Sequence, residues 1–270
     1  MFIKNITIAF MSPTGATALI AHTIYDAFAS NNIFPSMYDF IKPKSREVVH
    51  QFKDDELVIF VCPTYFGRMP KALDNFQGLR GRKAKAFIVS TYGNRLTDDQ
   101  PREIADMLTN KGFIVCGYAE VVVRHALDNE LGANRPNAGD LHMLSCNILD
   151  LLVALKQDEI ALPYTFDNTN DYIERADIFG VPTILHKKEL CSTCGICAKF
   201  CPMGIIDKTT FEVPEDKKHL CMGCNSCVFH CPQHIRSLTD EAKAKTKAFI
   251  DEVKLTHIAP KANTFHINRI

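Results

Sequence analysis

The sequence predicts an α/β fold, a doubly wound parallel sheet of five strands, with a second and smaller cysteine-bearing unit behind it. Three observations carry this. Strand-like and helix-like segments alternate from residue 1 to about 157, the pattern of a parallel sheet covered by helices on both faces. LVIFVC (Leu57–Cys62) and AFIVST (Ala86–Thr91) are nearly continuous apolar runs, as strands buried on both faces require. Eight of the eleven cysteines fall in two runs, CSTCGICAKFCP from Cys191 and CMGCNSCVFHCP from Cys221, each spaced C-x2-C-x2-C-x3-C-P.

The elements follow in order. NITIAF (Asn5–Phe10) reads as the first strand. ATALIAHTIYDAFAS has helical spacing, with Leu19, Ile20, Ile24 and Phe28 on one broad buried face. FPSMYDF is the second strand, and the two apolar runs are the third and fourth. PREIADMLTNKG is a helix closed by Gly112, FIVCGYAEVVV the fifth strand, and DLHMLSCNILDLLVALK a final amphipathic helix. Residues 158–180 are polar and mixed and read as a linker with one helical turn near Tyr172–Phe179. The cysteine unit occupies 181–238. Residues 239–270 begin as an exposed charged helix and end in an uncommitted tail.

Composition bounds the function. With 46% hydrophobic and 23% charged residues, the 270-residue chain is of the ordinary globular type. A formal net charge of zero gives no basic field for nucleic acid. No apolar run approaches the length of a membrane span. MFIKNITIAF alternates and lacks a small-residue cleavage site, so it reads as a buried strand and not a signal peptide. The expected location is the cytoplasm, where clustered thiols bind metal in preference to forming disulfides. Cys62, Cys116 and Cys146, set among apolar neighbours, read as small buried hydrophobes.

In each run, cysteines two residues apart let three sulfurs converge on one iron–sulfur cluster, with the fourth sulfur supplied from elsewhere. The alternative is two zinc sites, whose usual layout is two separated C-x2-C pairs. Gly195 and Gly223 admit close backbone approach, and Pro202 and Pro232 steer the chain away. Ile196, Ile205, Ile206, Val228 and Ile235 supply an apolar coat. These runs resemble the small α+β bacterial-type ferredoxins with two 4Fe–4S clusters. The resemblance implies that Cys191, Cys194, Cys197 and Cys231 hold one cluster, and Cys221, Cys224, Cys227 and Cys201 the other. Residues 181–238 carry seven Lys/Arg and five Asp/Glu. Two oxidised clusters at about −2 each bring the loaded unit to roughly −2, which fits a partner with a basic docking face.

Directly after the first strand comes MSPTGATALIA. Ser12, Thr14 and Thr17 offer hydroxyls, Gly15 permits a tight turn, and the N–H groups from Ala16 onward belong to a helix N-terminus. This suits a phosphate monoester held without lysine or arginine; a plain helix cap is the bland alternative. It is neither a P-loop nor a G-x-G-x-x-G motif. CPTYFGRMP and STYGNR follow the third and fourth strands, where doubly wound sheets bind ligands. Tyr65, Phe66 and Tyr92 offer rings for a flat heterocycle, beside Pro63, Thr64, Gly67, Thr91, Gly93 and Asn94. Arg124 and His125, at the end of the fifth strand, read as surface or packing, with a place beside the flat ring as the alternative. Asp98 and Asp99 read as helix-dipole partners.

Here the resemblance is to the flavodoxin family, through the [ST]-x-T-G-x-T pattern at Ser12, Thr14, Gly15 and Thr17. It implies bound FMN, with the ring held by the second and third loops. The chain lacks the tryptophan and the strong acidity of many flavodoxins. As a whole it resembles the flavodoxin–ferredoxin fusion proteins of anaerobes. The expected role is electron transfer between FMN and two 4Fe–4S clusters, with a ferredoxin-linked reductase or acceptor as partner. The alternative is a flavin-dependent reductase acting on NAD(P)H or a small substrate; a sensor role lacks an output module. No catalytic residue stands out. The linker length leaves open whether flavin and clusters meet in one chain or across a head-to-tail homodimer.

Overall fold

A computed structural model describes residues 2–175 and 184–270. The front of the chain runs β1 (Asn5–Phe10), α1 (Ala16–Ala29), β2 (Ser36–Asp39), α2 (Pro43–Glu47), β3 (Glu56–Pro63), β4 (Lys85–Tyr92), α3 (Gln100–Asn110), β5 (Ile114–Val122) and α4 (Ala138–Lys156). The five strands are parallel in the order β2-β1-β3-β4-β5. That is the flavodoxin-like doubly wound order, with its switch point between β1 and β3. β3 and β4 are apolar almost throughout because helices cover both faces. On one side α1 and α4 bring Ile20, Ile24, Phe28, Ile148, Leu151 and Leu155 onto Ile8, Ile59 and Phe87. On the other, Ile104 and Leu108 of α3 pack with Val58, Phe60 and Ile88.

Two helix expectations change. Leu19 is 46% exposed, and the buried face of α1 runs instead through Thr17, Ile20, Ala21, Ile24, Ala27 and Phe28. α4 is, by length and composition, long and apolar enough to cross a membrane, which a reading of apolar runs overlooked. Here its Leu144, Ile148, Leu151, Leu152 and Leu155 are buried in the core of the front domain. Cys62 and Cys116 are buried as expected, whereas Cys146 lies exposed on α4.

The segment after α4 is strapped to the front domain. The Tyr164 N–H donates to the Val115 carbonyl at 2.8 Å, and Phe166 stacks on Tyr118. Tyr172 lies between two guanidiniums, Arg68 at 4.8 Å and Arg102 at 4.1 Å from its ring. Residues 172–175 are not helical, and the rest of the expected helical turn, 176–179, lies outside the described residues.

The cysteine unit is a small α+β body. β6 (Ile184–His186) pairs antiparallel with β7 (Arg236–Leu238), and between them lie two single-turn helices, α5 (Ile196–Lys199) and α6 (Ser226–Phe229). Ile205, Ile206 and Phe211 form its apolar centre with Cys197 and Cys201.

The end of the chain is more ordered than its composition predicts. α7 (Asp240–His257) is capped by Thr239, whose Oγ1 accepts the Ala242 N–H at 3.2 Å. It is not wholly exposed: Ala242, Thr246, Ile250 and Val253 are buried, the last two against Leu131. The tail then adds β8 (Thr264–His266) antiparallel to β5, so the sheet has six strands and not five. Three residues are too few to display an alternating pattern, yet they cover the backbone edge of β5.

Asp140 pins this return. It closes a capping box with Asn137 and accepts Arg135 Nε at 2.5 Å and Nη2 at 2.7 Å. It also accepts Asn263 Nδ2 at 3.1 Å, while Arg135 Nη1 donates to the Lys261 carbonyl at 2.7 Å. Asp140→Asn is expected to cost about 2 kcal/mol in urea unfolding, the scale of a buried charged hydrogen-bond set. A loss under about 0.5 kcal/mol, the range of ordinary surface substitutions, would show that Asp140 is not the pin.

Candidate functional site

The loops after β1, β3 and β4 converge on one cleft at the C-terminal edge of the sheet, enclosing about 890 Å³ including the solvent at its mouth. Its walls include Pro13, Thr14, Ala16 and Thr17 from the first loop, Pro63–Gly67 from the second, and Thr91–Gly93 from the third. The three expected rings, Tyr65, Phe66 and Tyr92, are all there.

Local chemistry holds these loops in place. Thr17 Oγ1 and Thr91 Oγ1 lie 2.7 Å apart in a buried contact, tying the first loop to the end of β4. The Thr64 N–H donates to the Thr91 carbonyl at 2.8 Å, joining the second and third loops. Tyr65 and Arg68 exchange two backbone hydrogen bonds of 3.0 Å around a turn with Phe66 and Gly67 at positive φ. Glu103 braces that turn from α3, accepting Arg68 Nε at 2.9 Å, Arg68 Nη2 at 2.7 Å and the Met69 N–H at 2.7 Å. Arg175 adds a fourth donor at 2.8 Å. Burial opposes ionisation of Glu103, but these donors outweigh it and hold the carboxyl below its usual range.

Some expected residues do other work. Ser12 Oγ accepts the Ala18 N–H at 2.9 Å and so closes the turn into α1, and neither Ser12 nor Gly15 is among the cleft walls. Gly15 sits at φ 87° as the residue before α1. Asn94 is turned away and fully buried. Its Nδ2 donates to the carbonyls of His257 and Ala259, and its Oδ1 accepts the Lys261 N–H. Asp99 pairs with Arg102 at 3.0 Å and accepts the Ile173 N–H at 2.7 Å, so it anchors the linker as well as facing a helix N-terminus.

Other elements also wall the cleft, and two of them, α7 and the second cysteine run, escaped the sequence reading. Arg124 and His125 line the cleft from the end of β5. His125 fits because Gly93 lacks a side chain; a Cβ there would lie 2.3 Å from its ring. Phe249 reaches the cleft from α7 and meets Phe66 edge to face, ring centres 5.6 Å apart. Gly223 and Cys224 of the second cysteine run form part of the wall.

The thiols sort into two sets. Cys191, Cys194, Cys197 and Cys231 line one cavity, with Gly195 and Pro232. Cys201 sits with Cys221, Cys224 and Cys227, since its charge acts on each of those three thiols. Burial pushes the Cys224 thiol well above its ordinary value, and Cys221, Cys227 and Cys201 push it further. For Cys227 burial, opposed by Arg236 and helped by Cys221, Cys201 and Cys197 of the other set, reaches about 11. Thiols so placed ionise only around a cationic centre, as metal ligands do. Among the described residues no group of three His, Cys, Asp or Glu is spaced to hold a single metal ion. Four cysteine sulfurs in each set are the donor chemistry that an iron–sulfur cluster takes.

The second set abuts the cleft. Tyr65 is close enough to Cys224 for that thiol's charge to act on its hydroxyl. Phe229 lies over Gly15, 3.4 Å from where a Cβ would be, and His230 stands beside Pro13. From α2, Arg46 donates to the carbonyls of Phe40 at 2.7 Å, Ile41 at 3.0 Å and Pro202. The buried Thr64 Oγ1 has no partner among the described residues, an open acceptor or donor beside the cleft.

Residues 190–236 match the 4Fe-4S dicluster domain family. A flavodoxin from the domain Archaea aligns over 57% of this chain and 99% of its own, at 16% identity and a TM-score of 0.41. The flavodoxin of Streptococcus pneumoniae TIGR4 aligns over 56% and 99% at 18% identity and 0.39. The rubredoxin oxygen:oxidoreductase of the anaerobe Desulfovibrio gigas aligns over 58% and 37% at 15% identity and 0.38. No curated protein matches the sequence. The strand order and the matched cysteine unit together make this chain a flavodoxin-like α/β domain continued by a 4Fe–4S dicluster domain.

Proposed function

We propose that the chain is an electron-transfer protein that exchanges electrons between FMN in the cleft and two 4Fe–4S clusters behind it. One observation carries the reading: Gly223 and Cys224 of the second cysteine run are walls of the same cleft as Tyr65, Phe66 and Tyr92. A flavin takes one or two electrons and each cluster takes one, so the pairing couples two-electron to one-electron chemistry. Thr14, Ala16 and Thr17 hold the phosphate end, and Tyr65, Phe66, Gly67, Tyr92 and Gly93 hold the ring. Cys191, Cys194, Cys197 and Cys231 hold the outer cluster; Cys221, Cys224, Cys227 and Cys201 hold the one beside the flavin.

His125 supplies a neutral hydrogen-bond donor to the cleft. Its Nδ1 accepts the Leu127 N–H at 3.2 Å, which leaves the proton on Nε2. Burial pulls its pKa down to about 4, against Asp128 and helped by Arg95. A neutral imidazole beside the ring orients it without adding charge.

Anaerobically reconstituted protein is expected to carry about eight iron and one FMN per chain, and Cys201→Ser to lose about four iron while keeping FMN. Reduced ferredoxin should bleach the flavin quickly and NAD(P)H should not. Stoichiometric zinc with negligible iron would remove the reading, and fast bleaching by NAD(P)H would replace it with the reductase. The His125 resonances should stay flat from pH 8 to about 5 and move only near pH 4. The unfolded chain takes that proton first, near the ordinary histidine value of 6.5, so His125 lowers stability as pH falls from 6.5 toward 4. An NMR midpoint near 6.5 would contradict the buried neutral imidazole.

A further inference from the structure

Resting on the reading of the thiols as cluster ligands, we infer that Arg236 is a built-in counter-charge that raises the reduction potential of the cluster held by Cys191, Cys194, Cys197 and Cys231. Arg236 lies on β7, immediately after Ile235, and is only 4% exposed. It lines the cavity walled by those four cysteines. Its guanidinium donates to the Phe211 carbonyl, a neutral acceptor that leaves the positive charge uncancelled. The same group lies against the Cys197 thiol and acts on Cys227 of the other set only through its charge. Its influence is therefore strongest on the outer cluster.

A buried cation needs a reason. An arginine is almost never fully buried unless paired, because desolvating its charge is expensive. The apolar centre beside it, Ile205, Ile206 and Phe211, carries no charge. The thiolates do. Each reduction adds one electron and one negative charge to the set, and a fixed guanidinium stabilises the reduced form more than the oxidised. The facing strand residue is His186, whose two ring nitrogens are buried without a hydrogen-bond partner among the described residues. The inner set has a different cation, Arg46 on α2, which acts on Cys201 and arrives from the front domain. The outer cluster has its own within the cysteine unit, lining the cavity of its four cysteines.

The test uses full-length holoprotein, with iron content and redox-poised EPR of both clusters. Arg236→Gln keeps hydrogen-bonding capacity and removes the charge, and Arg236→Lys keeps the charge. At an effective dielectric of about 20 and a contact-range separation, loss of the charge should favour oxidation at least about tenfold, or about 59 mV downward for a one-electron couple. That shift should fall mainly on one cluster, with the lysine variant close to the parent. If Arg236→Gln fails to load iron while Arg236→Lys loads it at the parent potential, the counter-charge is likewise upheld. Full iron with unchanged potentials in Arg236→Gln overturns the inference, as does a lysine variant that behaves like glutamine or also fails to load. A parent protein without iron would instead sink the cluster reading itself, before Arg236 is reached.

Discussion

The docking of the second cysteine run onto the C-terminal edge of the front sheet is the contact on which the rest depends. It is a composite of small interactions. Phe229 lies over Gly15, His230 stands by Pro13, and Gly223 and Cys224 enter the cleft. Arg46 reaches across to the Pro202 carbonyl, next to Cys201, and Pro43 packs where a Cβ on Gly204 would sit. Lys42 stands 5.8 Å from the centre of the Phe200 ring, which itself stacks on His230. None of these is strong alone. Together they seat a thiol-rich loop on the switch-point loops of a doubly wound sheet, where such folds place their ligands.

That seat is useful only if the loops beneath it hold still. The second loop carries two rings of the cleft, and Glu103 fixes it from below through Arg68 and the Met69 N–H. The linker enters this network directly. Arg175 bridges Asp74 and Glu103, Arg68 Nη1 donates to the Ile173 carbonyl at 2.5 Å, and Tyr172 is held between Arg68 and Arg102. A carboxylate shared among several guanidinium donors is expensive to protonate, so the bracing persists well into the acid range. The same residues therefore position a cleft wall and anchor the chain that leads to the cysteine unit.

Much of this was legible in the sequence, for identifiable reasons. Doubly buried strands such as Leu57–Cys62 announce themselves as continuous apolar runs, and the cysteine spacing is dictated by cluster geometry. The three loops were found because each follows such a strand. What stayed hidden are positions whose role comes from a distant partner. Asn94 looked like a cofactor residue by its place in STYGNR, but its amide is spent on the carbonyls of His257 and Ala259. Phe249 sits in a charged stretch with no periodic cue, and the three-residue β8 has no pattern at all. His125 reads first as surface or packing, because the room it needs in the cleft is made by Gly93, on another strand end.

The return of the chain to the front domain also bears on how the two units work as one. A linker alone leaves a tethered module at an effective concentration set by its length. Here the module is held from both sides. Before it, residues 158–175 are tied to β5 and α3 through Tyr164, Ile173 and Arg175. After it, α7 packs Ile250 and Val253 on Leu131, Lys254 pairs with Asp128 at 2.8 Å, and β8 extends the sheet. A segment fastened at both ends loses most of its freedom before any docking contact forms, so the weak contacts at Gly15, Pro13 and Pro202 suffice to fix it.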